Sequence, residues 1–464
     1  MMISANNRDI FWAYLSQFLN VGISIILLPV ILRMFSPSDI GLWFAFTTLA
    51  SVAQLVEFGF GPTIARNISY VYSGAPNLMK EGLASIPHVK SDVNLELLLS
   101  LYLNSKKIYK KISYVSLFVL VVIGSIYIYS LLQPGQDTFG TLIAWVLFSL
   151  GYVFNLYYGY LQCCLVGRGD ITQANKSIVF GRTVFIFIGV GLTLLGQGLL
   201  GVALASLISS IVSRAFLFRY FKVHKLTAQL LMNQKPLKDF NILSILWHSS
   251  WRMGVVQCGA FLILKMNILI ASSVLGVDKA ASFSMGVTLL TFLLSTSSVI
   301  IQAQLPYIGS LQIKKNLKAI VPIVGEALII SNGMFLMGLL FLILLGDNIL
   351  LIIGSKVTML PINLLIFFGV IVLLELNHSL FSYYLVTLNK IPFVPSSIIS
   401  GLAVVLLSLV LVKPFGIYGL ILSQGVVQLL YNNWKWPQLA LANMNCNLWQ
   451  ILLSGKIRIS ERLS

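Results

Sequence analysis

Residues 360–388 read LPINLLIFFGVIVLLELNHSLFSYYLVTL, and this stretch decides the fold class. As a helix it is long enough to cross a hydrocarbon core about 30 Å thick. It nevertheless carries Glu375 near its middle, with His378, Ser379 and Ser382 at helical spacing. An acidic side chain at the bilayer centre costs about 3 kcal/mol on insertion scales unless it is paired, protonated or facing water. Positions 375, 378, 379 and 382 share one helix face, so the polar stripe is expected to look into a bundle rather than at lipid. That is the pattern of a transporter cavity.

Similar runs fill the chain. Of its 464 residues, 58% are hydrophobic and only 10% charged, and the mean hydropathy is +0.91. Soluble domains carry about 25% charged residues, so an all-α integral membrane protein is expected. Apolar run length predicts twelve transmembrane helices, at 10–32, 41–65, 112–132, 139–166, 178–196, 199–221, 244–273, 280–305, 320–345, 361–388, 392–412 and 416–436. The fifth and sixth are separated only by Gly196-Gln197-Gly198, and the short apolar piece Ile349–Gly354 is assigned to an outer loop. Arg8 leads directly into a full-length span without a small-residue cleavage site, which predicts a retained first helix. Cys163, Cys164 and Cys258 fall in spans and Cys446 in the tail, with no CxxC or Cys/His metal spacing, so free thiols are expected.

Charge orients the spans. With the N-terminus placed inside, the inner segments collect most of the 31 lysines and arginines, and the outer loops hold Arg33, Lys279, Lys356 and Lys413. This follows the positive-inside rule and puts both termini in the cytoplasm. The net charge of +17 then reflects topology and contact with anionic membrane lipids, and no nucleic acid is required. The spans divide into two six-helix lobes around a central cavity, 1–221 and 240–437, joined by a basic cytoplasmic linker at 222–239 and followed by a cytoplasmic tail at 438–464. Val93–Asn104 is amphipathic and precedes Lys106, Lys107, Lys110 and Lys111, so it is expected to lie along the inner membrane surface, as is the tail. Outer loops are short, and no HExxH, GxSxG or Walker sequence occurs. A transporter without cofactor or metal is expected, and not an enzyme.

The first seventy residues carry a resemblance. Leu28-Pro29-Val30-Ile31-Leu32-Arg33 runs into Ser36-Pro37-Ser38-Asp39-Ile40-Gly41-Leu42-Trp43, followed by Glu57-Phe58-Gly59-Phe60-Gly61-Pro62 and Ala65-Arg66-Asn67-Ile68-Ser69. This order resembles the Wzx-like O-antigen and polysaccharide repeat-unit flippases of the multidrug/oligosaccharidyl-lipid/polysaccharide exporter superfamily. Length, span number and inside termini match that family as well. The family's second helix commonly carries Asp before Phe-Gly, where Glu57 stands here and keeps the charge. The resemblance implies a bacterial inner-membrane protein that moves an oligosaccharide repeat unit on undecaprenyl pyrophosphate from the cytoplasmic to the periplasmic leaflet by alternating access. It implies a polysaccharide polymerase and a chain-length regulator as partners. Two other functions are weighed against it. A multidrug exporter of the same superfamily would favour an acidic cavity, and a polysaccharide polymerase would need a large outer loop.

Each candidate residue has two readings. Arg182, Arg214 and Arg252 fall about 6–12 Å inside the cytoplasmic edge of spans five, six and seven. They form a cationic vestibule that grips pyrophosphate, or they snorkel to headgroups; depth favours snorkelling for Arg182 and the cavity for the other two. Lys265 lies deeper, as a second cationic stage. Its spacing from Arg252 puts the two on separate helix faces, so both meet the substrate only if the helix bends at Gly254 or Gly259. Glu57, near mid-membrane on a face with Thr47, Ser51 and Gln54, pairs with an arginine or acts as a protonatable switch. Glu375 and His378 couple protons to export, or share a structural hydrogen bond. Gln17 and Asn20 with Ser24, and Gln302 with Thr288, Thr291 and Ser295, line the path or pack helices. The tyrosines of span four, Tyr152, Tyr157, Tyr158 and Tyr160, are read as interface residues.

Overall fold

Ser36-Pro37-Ser38-Asp39 is a helix start written in full. The Ser36 hydroxyl accepts from Asp39 N at 3.1 Å and donates to the Asp39 carboxylate at 2.7 Å, while Pro37 takes the first helical position. It opens α1, Pro37–Val56. The computed structural model describes Trp12, Leu15, Ser16, Leu19, and residues 27–72, 75, 77–79, 93–132, 136–223, 241–313, 316–388 and 392–463. Among the described residues the chain is helical throughout, and nine helices are long and apolar enough to cross a membrane. The all-α membrane fold expected from composition is the fold found.

Most of the first expected span lies outside the described residues. The second does not run through as one helix. α1 stops at Val56, Phe58 and Gly59 turn left-handed with φ of 49° and 66°, and α2 restarts as Phe60–Tyr72. A side chain on Gly59 would stand 2.6 Å from Met253 Cβ, so the turn is pressed onto a neighbouring helix that only a glycine admits.

α3 is one helix, Leu95–Leu131, capped by Asn94, whose side chain accepts from Leu97 N. Of the stretch 93–104, expected as a surface segment, residues 95–104 are its first turns. No glycine or proline interrupts the sequence from Asn94 to Ile123, and Leu97, Leu98, Leu101 and Tyr102 are buried against Ile64, Ile68, Leu161, Leu165 and Phe221. Residues Val119–Gly124 of α3 form a π-helical stretch, and the Trp145 indole donates to the Leu120 carbonyl at 3.0 Å. α4 (Thr138–Tyr157) and α5 (Gly159–Gly167) follow with a break at Tyr158. α6 (Ile171–Leu194) and α7 (Gly198–Val223) divide at the expected Gly196-Gln197-Gly198, where both glycines have positive φ.

α8 (Ile242–Leu264) and α9 (Met266–Val274) are separated at Lys265, and α10 (Val277–Ile313), α11 (Leu317–Ile353) and α12 (Ile362–Val386) follow. Residues 349–353, assigned to an outer loop, are the last turn of α11. The helix runs on to Gly354, whose φ of 72° ends it. α13 (Val394–Phe415) precedes α14 (Ile417–Leu430) and α15 (Asn432–Met444), which divide the twelfth expected span at Tyr431. α16 (Leu448–Leu463) is the tail, and it is packed on protein. Gly455 meets Gly325 backbone to backbone, Ile451 is fully buried, and Arg458 binds the buried Glu326 at 2.6 Å. Two compact units result, 1–258 and 259–464.

Candidate functional site

In the first unit a polar cluster grows from the broken second span. Because the chain turns at Phe58-Gly59, the Glu57 carboxylate folds back over the start of α2 and accepts from Gly61 N. The Tyr109 hydroxyl of α3 donates to Glu57 and lies 3.3 Å from Cys163 Sγ of α5. Two glycines make the room. A Cβ on Gly61 would stand 2.5 Å from the Glu57 carboxylate, and one on Gly159 would stand 2.5 Å from the Tyr109 ring.

Arg214 of α7 closes the cluster. It donates to the Asn155 amide oxygen of α4 and is near enough to Glu57, Tyr109 and Arg182 to interact with them electrostatically. Its Nε is buried and has no hydrogen-bond partner among the described residues. The two arginines are neighbours for a packing reason. Gly181 of α6 lets Ser213 of α7 approach until a Cβ would touch it at 2.7 Å, and Ser209 Oγ donates to Gly181 O at 2.8 Å. Arg182 follows that glycine and Arg214 follows that serine, so the close helix crossing brings two guanidiniums to one level. Arg182 is exposed, near Tyr152. Both readings of Glu57, pairing and switching, are compatible with this arrangement.

Glu57, expected near mid-membrane, is bonded to a tyrosine at the lysine-bearing end of the apolar part of α3. The outward face of α3 carries exposed Lys106, Lys107, Lys110 and Lys111, then exposed Tyr114, Val115, Phe118, Val122, Ile123 and Ile126. That change from lysine to apolar is the pattern of a helix passing from a polar layer into hydrocarbon. Tyr109 sits on the buried face at the level of these lysines and is bonded to Glu57.

Arg252 of α8 is exposed, its guanidinium 5.8 Å from the Trp251 ring. Lys265 is half-buried at the interruption between α8 and α9. The helix is interrupted at Lys265, and not at Gly254 or Gly259, the places considered for a bend. Those glycines serve close contacts: a Cβ on Gly254 would strike Phe58 at 2.2 Å, and one on Gly259 the Ser397 backbone at 2.4 Å.

The second unit holds a longer network. Gln428 Nε2 of α14 donates to both Glu375 oxygens, at 3.2 and 3.0 Å, and Gln424 also binds that carboxylate. His378 Nε2 is 3.7 Å from Glu375 Oε1, and its Nδ1 is 2.8 Å from Asn433 Oδ1. Beyond Gln428 the bonds continue to Asn432, Ser400 and Trp436. Gln302 of α10 donates to Ser298 Oγ at 2.9 Å and to Tyr383 Oη at 3.1 Å. Gln17 and Asn20 lie outside the described residues. No group of metal-ligating side chains is found among the described residues.

Tyr109 and Trp436 escaped the sequence reading. Tyr109 stands among lysines and reads as an interface tyrosine, and the signal that could have found it is the pair of glycines, Gly61 and Gly159. For the second unit the signal was Gln424, Gln428 and Asn432 at intervals of four in an apolar run.

No family model and no curated protein matches the chain in sequence. Its fold does have relatives among solved structures. An inward-facing multidrug resistance MATE family transporter of the MOP superfamily matches with a TM-score of 0.71 at 14% identity, over 94% of this chain and 99% of that one. The lipid II flippase MurJ, in an inward closed conformation, matches with 0.64 at 12% identity, over 97% and 90%. The MATE multidrug transporter DinF-BH gives 0.63 at 13%, over 97% and 98%. The chain therefore has the fold of MOP superfamily transporters.

Proposed function

We propose that this chain is an inner-membrane flippase that moves undecaprenyl-pyrophosphate-linked oligosaccharide repeat units, of O-antigen or a similar surface polysaccharide, from the cytoplasmic to the periplasmic leaflet. The observation that carries the reading is Arg214. A half-buried guanidinium whose Nε–H has no hydrogen-bond partner among the described residues, beside a second arginine and the amide of Asn155 and with only Glu57 as a nearby carboxylate, has donor capacity that a phosphate could use. With the exposed lysines of α3 in the headgroup layer, the cluster would meet a pyrophosphate headgroup without a change of depth. Arg182 and Arg214 would take the phosphates first, and Arg252 and Lys265 would offer later cationic contacts. Gln302, with Gln17 and Asn20, would meet the sugar.

Two lobes joined by the basic segment 222–239, with both termini cytoplasmic, would rock to expose the site alternately. Glu375 with His378, and Glu57, would exchange the coupling ion. A polysaccharide polymerase and a chain-length regulator would receive the product.

A second reading, multidrug export, draws support from the likeness to MATE transporters described as multidrug transporters. A cationic cluster speaks against cationic drugs as cargo. In a strain lacking the chain, loss of surface polysaccharide with the lipid-linked unit stranded on the cytoplasmic face is the expected result. Unchanged polysaccharide with altered drug sensitivity would move the assignment to drug export. Units that reach the outer face unpolymerised would indicate a polymerase.

A further inference from the structure

Trp436 stands at the end of a hydrogen-bond chain that leads to Glu375 and can be read in one direction only. An indole N–H donates and never accepts. Trp436 Nε1 donates to Asn432 Oδ1 at 2.9 Å, which fixes the orientation of the Asn432 amide. Asn432 Nδ2 must then point away, and it donates to Gln428 Oε1 at 2.6 Å and to Ser400 Oγ at 3.0 Å. Gln428 is oriented in turn, and its Nε2 is what reaches the two Glu375 oxygens. Every member of the relay is buried. No solvent is at hand to replace a lost partner, so a reversed amide would leave unpaired groups along the whole chain.

We propose that Trp436 is a positioning residue for the coupling carboxylate: by orienting Asn432 and Gln428, it presents Glu375 with amide donors and holds it ready as a proton acceptor. This rests on the reading of Glu375 as an ion-coupling group. The relay also straddles a break in the helix, since Gln428 precedes Tyr431 and Asn432 and Trp436 follow it. A change at the break would therefore reach Glu375 as a change in what its oxygens are offered. The groups that face Glu375 from α14 are the amides of Gln424 and Gln428, and its ionisable neighbour on α12 itself is His378. Tyr384 is turned to Asn443 of α15 and Tyr383 to Gln302 of α10.

Without the indole N–H, both amides are free to reverse. Gln428 would then offer Glu375 an acceptor oxygen, which a protonated carboxyl can satisfy and a carboxylate cannot. Trp436→Phe keeps an aromatic ring beside Phe393 and Tyr431 and removes only the donor. The test is an infrared titration of the full chain in liposomes, with the carboxyl band of Glu375 identified by its absence in Glu375→Gln. In Trp436→Phe the band is expected to appear at a pH about one unit higher than in the parent protein. Asn432→Leu, which cuts the relay but leaves Trp436 in place, carries the same expectation and serves if Trp436→Phe does not fold. A midpoint that stays put or falls in the variant that folds would overturn the proposal, as would a Glu375 already protonated throughout in the parent. The coupling reading fails separately: Glu375→Gln exporting with an unchanged pH profile would sink it while the infrared result still stands.

Discussion

Arg214 and Tyr109 meet in one cluster but are very unequally visible in the sequence. An arginine inside an apolar run announces itself by its cost, and so do Glu57 and Glu375. A tyrosine among lysines announces nothing, because its burial is decided by α5 and by two glycines distant in the chain. Two predictions belong at this scale. Arg214→Gln removes a charged donor of the kind whose bonds are worth about 1.5–3 kcal/mol. Export should fall roughly ten- to hundredfold at limiting substrate with membrane levels unchanged, as read by the rate at which repeat units reach the outer leaflet. Parental export in that variant would remove Arg214 from the path. Gly159→Ala pushes a methyl to 2.5 Å from the Tyr109 ring and should cost about 1–3 kcal/mol by thermal unfolding. In a Tyr109→Ala background the same change should be nearly neutral, since the clash has gone. Additive costs in that double-variant cycle would mean that the contact does not exist.

Helices were legible as lengths of apolar sequence, and their interruptions were not. The break at Phe58-Gly59 lies inside a run read as one span, and what sets it is a neighbour that only a glycine admits; the break at Tyr431 falls where the apolar run gives way to Asn432-Asn433-Trp434-Lys435. The split at Gly196-Gln197-Gly198 was visible because the turn residues are its cause. The tail shows the same limit. α16 reads as a surface helix, but Gly455 allows it to lie against Gly325 of α11, and the Arg458–Glu326 pair spans a separation no local pattern reports. Arg458→Ala should therefore destabilise the second unit by about 1–3 kcal/mol, because Glu326 is left buried beside a lost partner. Protease should cut the tail faster in that variant, and adding Glu326→Gln should recover part of the loss. A tail as resistant as the parent's would show that the glycine contact alone holds α16.

At the level of the whole molecule, the class of fold followed from composition and span number, because a chain this apolar has few structures open to it. What composition cannot supply is direction, and a flippase is defined by direction. Two groups on the chain make opposite claims about sidedness that must both hold. The lysine quartet of α3 is exposed, and so basic a group is expected on the cytoplasmic face. Lys356, exposed after the end of α11, is expected on the opposite face by the alternation of the spans. A membrane-impermeant maleimide applied to intact spheroplasts should therefore label Lys356→Cys and spare Lys107→Cys until the membrane is opened. The native thiols interfere little, since Cys163 and Cys164 are buried and Cys258 and Cys446 only partly accessible. Burial also raises the pKa of Cys446 and slows its reaction. The reverse pattern would turn the Arg214 cluster towards the periplasm, where no newly made repeat unit waits. The same fold would then have to load its anion from outside, and a cytoplasm-to-periplasm flippase could not be this protein.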